Sequence, residues 1–377
     1  MAKSLNYEIQ GVSALIGKVL SIEEWAQRAR IPNTKGPGVL DGKAVERLLG
    51  IRAKSWDPEL FSDMRTVAAV ARAALDSARL SPEEIEAAII VTCSPYQIML
   101  DQDAFNLFRS LKLPDDVVPL QLSAGCAGIA RAVATAAMLN VNNVLIITYN
   151  LASLMTGDGA GGINELYRHN ESHPLGSRLW ASPGIFSDAA AALVLRRSPE
   201  AQGAVLYSRD AQLSGEDAPF EDPLIHYLGG GAACPPGTPQ TAELSCYGMK
   251  SDQVKRYYTQ GMMRNHAALC QLRPAYVQDV ARLYTHQASP ALIEEFARLA
   301  ELPADKAPSN ARELGNLVSP CTVKMLHDDV LMGRVHNGQT ICISVVGAGP
   351  ERGALLLPLG IREACEVRLD EQHTAMH

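Results

Sequence analysis

The sequence predicts an α/β protein built from two similar halves, in which mixed sheets are covered by helices. Helix-like and strand-like segments alternate along the chain, and the same alternation returns in its second half. The 377 residues are 47% hydrophobic and only 20% charged, which supplies ample core material. A chain of this length can form two domains or one duplicated fold. We place the boundary between halves 1–197 and 198–377.

The first half begins with an amphipathic helix over residues 64–78. Ser81 and the acidic residues after it provide a helix-start signal, and Ala87–Thr92 is a β-branched, apolar run typical of a buried strand. Helices follow over 105–111 and 127–139, and strands are predicted over 117–122, 143–149 and 189–195. This order is typical of a parallel or mixed sheet with helices on its faces.

The second half contains helices over 276–281, 290–299 and 322–332, and strands over 282–285, 340–346 and 353–357. Residues 198–239 are rich in Gly, Pro and acidic side chains, which predicts a surface connection rather than core. Residues 157–184 form a long polar segment, which is either a lid over a pocket or a solvated insertion.

The composition excludes several classes of partner and site. A net charge of −7 and a pI near 5.8 argue against a nucleic-acid surface. No apolar segment is long enough to span a membrane, and the first residues lack the apolar core of a signal peptide, so we expect a cytoplasmic protein. The eight cysteines show no C-x-x-C pair and no Cys/His ligand spacing, which predicts reduced thiols and no bound metal.

Cys126 lies where the predicted strand 117–122 leads into the alanine-rich helix. In the first turn of that helix, unpaired N–H groups and the helix dipole favour a thiolate, which makes sulfur a better nucleophile. On this segment alone we favour the other interpretation, that Cys126 is a small apolar residue filling a tight corner.

Three further segments are ambiguous when taken singly. His286 ends a predicted strand, where reacting groups are presented, but it can also be a packed histidine. The Gly-Asn pair at Asn316 can be a turn, and the glycine-rich residues 347–353 can form an oxyanion hole or a tight hairpin. Residues 157–162 match G-x-G-x-x-G, but no apolar helix follows, so a dinucleotide site is not predicted.

Together these features resemble the β-ketoacyl-ACP synthase III family of thiolase-fold condensing enzymes. Cys126, the His-Gln-Ala at His286, the Gly-Asn at Asn316 and the late glycine-rich turn occur in that family's order and approximate spacing. Residues 50–52, 186–191 and 353–356 extend the resemblance over most of the chain. It implies a thiolase-like fold with α-β-α-β-α layers, an active site between the halves, a homodimer, and no metal or redox cofactor.

The resemblance also implies a role for each site residue. Cys126 would take an acyl group from an acyl-CoA or acyl-ACP thioester. His286 and Asn316 would stabilise the enolate that forms when a malonyl group on acyl carrier protein loses CO2, and the backbone N–H groups of Cys126 and Ala348 would form the oxyanion hole.

A substrate pocket is predicted from position in the chain. Its candidate residues are Phe186, Gly347, Gly349, Tyr96, Met99, Leu100 and Phe105. The last four can equally be dimer or core contacts.

Departures from the family pattern bear on the acyl donor and its carrier. Ala44 and Leu48 stand where family members have a tryptophan and an arginine that grip coenzyme A. Ser289 and Ala291 replace an asparagine and an arginine, the latter associated with carrier binding, which leaves Arg282 or Arg312 for that role. The segment 161–182 is longer than in housekeeping members, so we expect an enzyme of specialised metabolism.

Three other functions compete with condensation. The first is acyl transfer to an alcohol or amine without decarboxylation, which the presence of Asn316 disfavours. The second is a non-catalytic partner subunit, which would be expected to lack one of the three polar site residues. The third is a papain-like hydrolase, whose local cysteine signature is missing around Cys126.

Overall fold

Two five-stranded mixed sheets form the centre of the protein in the computed structural model, which describes residues 2–210 and 223–369. The strands of this described part are β1 (Lys3–Leu5), β2 (Tyr7–Ile16), β3 (Val19–Ser21), β4 (Ala53–Ser55), β5 (Ala87–Thr92), β6 (Pro119–Ser123), β7 (Asn143–Asn150), β8 (Ala189–Arg197), β9 (Gly203–Arg209), β10 (Ile225–His226), β11 (Gly248–Met249), β12 (Leu283–Thr285), β13 (Thr340–Gly347) and β14 (Glu351–Pro358). Sheet one has the order β2-β8-β7-β5-β6, and sheet two has the order β1-β9-β14-β13-β12.

Helices connect and cover these strands. They are α1 (Ile22–Ala29), α2 (Gly42–Leu49), α3 (Arg65–Ala78), α4 (Gln102–Leu111), α5 (Gly128–Leu139), α6 (Ala152–Thr156), α7 (Glu165–Arg168), α8 (Ala181–Ile185), α9 (Pro239–Leu244), α10 (Ser251–Leu272), α11 (Tyr276–Asp279), α12 (Pro290–Leu299), α13 (Ala311–Leu314) and α14 (Pro320–Leu331). Short 3-10 turns occur at Pro82–Glu84 and Gly176–Arg178.

The two sheets repeat one pairing pattern. In sheet one, β2 and β8 are antiparallel, β8 and β7 are antiparallel, and β7 and β5 are parallel. Sheet two has the same pattern: β9 is antiparallel to β14, β14 is antiparallel to β13, and β13 is parallel to β12. Sheet one adds β6 beside β5, whereas sheet two adds β1 beside β9. This similarity is the structural form of the repeated sequence pattern.

Helices lie outside each sheet and between the two sheets. The helices α3 and α4 pack on the outer face of sheet one, and α10 and α12 pack on the outer face of sheet two. Between the sheets, α5 and α14 join a core that draws residues from both. The thiolase-like order of layers, α-β-α-β-α, is therefore confirmed.

Most predicted elements lie within a few residues of the observed ones, and β5 and α12 have the predicted bounds. The prediction that residues 198–239 contribute no core is wrong, because β9 is a buried strand of sheet two. Residues 211–222 of that segment lie outside the described part. The last strand of sheet one along the chain is β8, which ends at Arg197, but β1 at the start of the chain pairs into sheet two. The division of the chain at residue 197 stays a prediction.

Candidate active site

Cys126, His286 and Asn316 line one cavity between the two sheets, with a volume of about 370 Å³. Their exposed fractions are 9%, 2% and 5%, so all three are buried next to this space. They come from three separate connections: the turn between β6 and α5, the segment after β12, and the segment between α13 and α14. The fold therefore brings together the three polar residues that the sequence pattern singles out.

Cys126 lies in a tight turn just before α5. Gly128, at the start of that helix, is packed so closely that a Cβ atom there would lie 2.3 Å from Val91 and 2.9 Å from the Ser319 hydroxyl. The Ser319 hydroxyl also donates to the backbone carbonyl of Gly125. This contact fixes the cysteine turn against the chain segment that carries Asn316.

The environment of Cys126 favours the neutral thiol. Burial raises the pKa of Cys126 well above its usual range, and the neighbouring sulfur atoms of Cys93 and Cys321 act in the same direction. A backbone N–H and the side chain of Asn316 oppose this shift, but they are the smaller effects. The expectation that the helix start favours a thiolate is therefore wrong, because burial raises the pKa of this thiol.

His286 follows the short strand β12 and is held through its backbone. Its N–H donates to the carbonyl of Ser344 on β13 at 2.9 Å, and its own carbonyl accepts the Tyr258 hydroxyl at 2.8 Å. The Tyr258 ring lies against the imidazole with a centroid separation of 6.2 Å. Burial lowers the pKa of His286 to about 3, so the ring is neutral at physiological pH.

Asn316 is fixed at both its backbone and its side chain. Its N–H donates to Ile185, and its carbonyl accepts from Ser187, each at 2.9 Å. The side-chain oxygen accepts the N–H of Val318 at 2.8 Å, which leaves the amide NH2 to hydrogen bond to Cys126. Val318 has φ of +61°, a strained value for a β-branched residue. The strain is stored two residues beyond the predicted enolate donor, Asn316.

Lys54 holds the segment 183–186, which lies beside Asn316, through hydrogen bonds from its side chain. No local sequence pattern indicates this role. Its ammonium group is fully buried and donates to the carbonyls of Pro183, Gly184 and Phe186. It also lies over two indole rings, 4.8 Å from the Trp25 centroid and 4.3 Å from that of Trp56. Because Phe186 pairs with Asn316 in a parallel bridge, Lys54 holds the strand-like segment to which Asn316 is attached.

The glycine-rich residues 347–350 form a hairpin between β13 and β14 and also reach the cavity. Gly347 and Ala348 line it, whereas Gly349 belongs to the turn but not to the cavity wall. Within the described part of the chain, the N–H groups of Cys126 and Ala348 donate to no protein oxygen. Two N–H groups available at one cavity are what an oxyanion hole needs.

An ion pair ties this hairpin to the cysteine helix. Arg131 on α5 lies 2.6 Å from the carboxylate of Glu351, which also accepts the Tyr207 hydroxyl at 2.5 Å. The carboxylate is nearly inaccessible, with 4% of the Glu351 side chain exposed. The ion pair between Arg131 and Glu351 therefore joins the segment after Cys126 to the segment after Ala348, the two predicted oxyanion donors.

The other predicted pocket residues divide into two groups. Phe186 lines the cavity, as the sequence predicts. Tyr96, Met99, Leu100 and Phe105 do not line it; they lie on α4 and the turn before it, with exposed fractions of 43%, 66%, 76% and 50%. Position in the chain could not separate these cases, because the path of the turn before α4 is decided by tertiary packing.

The polar segment 157–184 contributes to the cavity wall. Arg178, Trp180 and Ala181 line the cavity, which agrees with the lid alternative more than with a purely solvated insertion. Its G-x-G-x-x-G sequence forms a turn closed by Asp158, whose carboxylate accepts the N–H groups of Ala160 and Gly162 at 2.9 Å each. That turn leads into no long helix.

Neither arginine considered for carrier binding lines the cavity. Arg282 contacts the Asp305 carbonyl and the Asp329 carboxylate, and Arg312 pairs with Glu294 at the surface. Two other basic side chains, Arg178 and Lys255, line the cavity and are exposed.

The described part of the chain shows neither a metal-binding cluster nor a membrane-spanning helix. Across residues 2–210 and 223–369, no three His, Cys, Asp or Glu side chains meet in a group that could hold a metal ion. In the same ranges, none of the helices has the length and apolar character needed to cross a bilayer.

Residues 272–359 match the family model for the C-terminal part of 3-oxoacyl-[acyl-carrier-protein (ACP)] synthase III. This region contains His286, Asn316 and Ala348. The match therefore covers the second half of the site, and Cys126 lies outside it.

Similar proteins extend the comparison to most of the chain. This chain is 25% identical over 336 residues to β-ketoacyl-[acyl-carrier-protein] synthase III of Synechococcus sp. (strain RCC307). The match covers 88% of this chain and 94% of the relative. The chloroplastic synthase III B of Cuphea wrightii is 23% identical over 315 residues, which are 80% of this chain and 72% of that protein.

Solved structures show the same fold. The 3-oxoacyl-(acyl carrier protein) synthase III of Pseudomonas aeruginosa PAO1 superposes with a TM-score of 0.72 at 18% identity, covering 94% of this chain and 98% of that one. The priming β-ketosynthase of the R1128 polyketide pathway gives a TM-score of 0.69 at 20% identity, covering 95% and 98%. Over most of its length the chain is therefore similar to β-ketoacyl-ACP synthase III proteins, and it has their thiolase-like fold, as the sequence resemblance predicts.

Proposed function

We propose that the protein is an acyltransferase of the β-ketoacyl-ACP synthase III type, which loads an acyl group on Cys126 and condenses it with a malonyl-type thioester. The observation that carries this proposal is that the buried Cys126 thiol, a neutral His286 and the amide of Asn316 line one and the same cavity. The names of the similar proteins support the same class of reaction.

In the first half-reaction, the Cys126 sulfur attacks the carbonyl carbon of the acyl thioester. The N–H groups of Cys126 and Ala348 stabilise the oxyanion of the tetrahedral intermediate. The bond from carbon to the donor sulfur then breaks, and the proton lost by Cys126 ends on the departing thiol. The products are the acylated cysteine and free carrier thiol.

In the second half-reaction, the malonyl-type thioester loses CO2 and becomes a thioester enolate. Hydrogen bonds from His286 and from the Asn316 amide to the enolate oxygen lower the barrier to decarboxylation. The enolate carbon attacks the acyl carbon, the bond to Cys126 breaks, and a β-ketoacyl thioester leaves. A neutral histidine suits this step because it donates without bringing a full charge into the buried cavity.

Carrier recognition is assigned to the exposed basic side chains of the cavity wall. Arg178 and Lys255 are positively charged, and the phosphate of a phosphopantetheine arm is negative. Trp180 lines the same cavity and would offer an aromatic face to the arm. These residues replace the missing family side chains at Ala44, Leu48 and Ala291.

We also propose a homodimer and a cytoplasmic location. The exposed apolar side chains at 96–105 support self-association, because exposed apolar patches commonly mark protein interfaces. The eight cysteines are all free thiols, which supports a reducing compartment.

The decisive experiment is intact-protein mass spectrometry after incubation with a panel of acyl-CoA and acyl-ACP thioesters, with and without malonyl-ACP. We expect an acyl adduct on the wild type and on Cys342→Ala, a buried-cysteine control, but not on Cys126→Ala. Discharge by malonyl-ACP with release of CO2 supports condensation. Discharge only by alcohols or amines would indicate simple acyl transfer, and no adduct with any donor would overturn the proposal.

A further inference from the structure

Cys321 is a second buried cysteine in contact with the site. It lies in the first turn of α14, and its sulfur is 3.5 Å from Nδ1 of His286. Cys321 is fully buried and His286 is 2% exposed, so water does not compete for this contact. Neither the predicted mechanism nor the sequence pattern uses this cysteine.

The chemistry of the two groups decides the direction of the hydrogen bond. Sulfur is a weak hydrogen-bond acceptor, whereas the unprotonated nitrogen of a neutral imidazole accepts readily. The favoured arrangement is therefore the one in which the S–H group donates to Nδ1. Burial raises the pKa of Cys321 to about 12, so that proton is present at neutral pH.

The hydrogen bond selects one form of the imidazole ring. A neutral histidine carries one N–H, and the partner of one ring nitrogen determines which nitrogen holds it. If the Cys321 thiol donates to Nδ1, the proton of His286 resides on Nε2. Nε2 is then the donor available to the cavity that His286 lines.

We propose that Cys321 is a positioning residue, which donates its S–H to Nδ1 of His286 and thereby holds the ring in the Nε2–H tautomer. In catalysis the Nε2–H group would hydrogen bond to the enolate oxygen, and this role rests on the proposed function. Acylation of Cys126 uses the backbone oxyanion donors and does not depend on the tautomer. The predicted effect is therefore confined to the decarboxylating half-reaction.

The test is nitrogen NMR on protein labelled with 15N-histidine, with the His286 signals assigned from His286→Gln. We expect the Nε2–H tautomer in the wild type and in Cys321→Ser, whose hydroxyl also donates. In Cys321→Ala we expect a mixture that includes the Nδ1–H tautomer. Cys342→Ala removes an equally buried thiol that has no contact with His286 and should give the wild-type spectrum.

Kinetics provides the second readout. We expect Cys321→Ala to lower the rate of malonyl decarboxylation roughly tenfold or more, as loss of an orienting partner commonly does, and to leave Cys126 acylation within about twofold. Cys321→Ser should retain most of the decarboxylation rate.

An Nδ1–H tautomer in the wild type, or an Nε2–H tautomer that persists unmixed in Cys321→Ala, would overturn the assignment. The NMR result does not require activity. Absence of any condensation by the wild type would therefore count against the proposed function and leave the tautomer assignment to the spectra.

Discussion

Burial determines the protonation of both reacting side chains. It raises the pKa of Cys126 and lowers that of His286, so burial favours a neutral thiol and a neutral imidazole rather than an ion pair. A thiolate–imidazolium pair, as in papain-like hydrolases, would need the opposite shifts. The electrostatics therefore separate this site from that competing function, which order along the chain alone could not do.

A raised pKa predicts slow alkylation of Cys126 at neutral pH. Below its pKa, the thiolate fraction rises about tenfold for each pH unit, so the rate with iodoacetamide should rise by about that factor per unit from pH 7 to pH 9. The measurement is peptide mass spectrometry of the Cys126 modification, with exposed model thiols run in parallel. A rate that is already maximal at pH 7 would show that the helix dipole dominates after all.

The lowered pKa of His286 predicts a loss of stability in acid. Between pH 6.5 and about 3 the unfolded chain binds a proton at this residue and the folded chain does not, so the free energy of unfolding falls as the pH falls. At pH 5 the expected loss is about 2 kcal/mol. Urea unfolding at pH 7 and pH 5 should show that His286→Gln loses less stability than the wild type by about this amount.

The matched control for this comparison is His336→Gln, which alters an exposed histidine. It should follow the wild-type pH dependence. Equal losses for His286→Gln and the wild type would mean that His286 titrates in the folded protein near its ordinary range.

At the scale of elements, short connections between strands and helices carry the whole site. The segment 183–187 pairs with Asn316 on one side and is held by the Lys54 ammonium on the other. The position of the Asn316 amide thus depends on a cation that never touches substrate. Three backbone carbonyls would lose their common donor if this cation were removed.

We expect Lys54→Met to lower the free energy of unfolding by about 3 kcal/mol, because it leaves three buried carbonyls without their common donor and removes a favourable charge near Asp188. Decarboxylation should fall about tenfold or more as Asn316 shifts, beyond any loss explained by unfolded protein. Denaturant titration and CO2 release measure the two effects. Lys43→Met, at an exposed lysine of α2, should change neither.

Elements with a clear local signal were predictable from the sequence. The strand β5 is an unbroken apolar run, and α12 begins at the Ser289-Pro290 signal, so their bounds follow from periodicity and capping. The strand β9 was missed because its short apolar run lies inside a stretch dominated by turn-forming and acidic residues. Pairing with β14 stabilises it, and that partner lies about 150 residues away.

The site was predictable where residue types recur in a recognised order. Cys126, His286 and Asn316 were found because each follows a strand or turn signal, and the cavity then brings them together. Cys321 and Lys54 carry no local signal, since their contacts join segments 35 and about 130 residues apart. Such partners are properties of the packed molecule and cannot be read from neighbouring residues.

The whole molecule places its chemistry at the junction of two similar sheets. Cys126 belongs to the half with sheet one, and His286 and Asn316 belong to the half with sheet two. The ion pair between Arg131 on α5 and Glu351 on β14 links the two halves next to the site. Relative movement of the halves would separate nucleophile from donors, so a rigid central core is a condition of the proposed reaction.

The exposed apolar segment 96–105 predicts the oligomeric state. We expect the wild type to be a dimer by light scattering and Leu100→Asp to shift toward monomer, because a buried charge opposes association. Leu331→Asp, at another exposed leucine, on α14, is the control and should remain dimeric. A wild-type monomer, or a dimer that Leu100→Asp leaves intact, would exclude this surface as the interface.

The pairing of β1 with β9 has a consequence for biosynthesis. Lys3 lies opposite Val205, so the ribosome makes one strand about 200 residues before the other. At typical rates of synthesis this is an interval of about 10 to 40 s. Sheet two also needs β14, whose last residue is Pro358. Sheet one can therefore assemble while the nascent chain is still growing, whereas sheet two must recruit an early-made strand and a late-made one, and its edge stays open to chaperones until then.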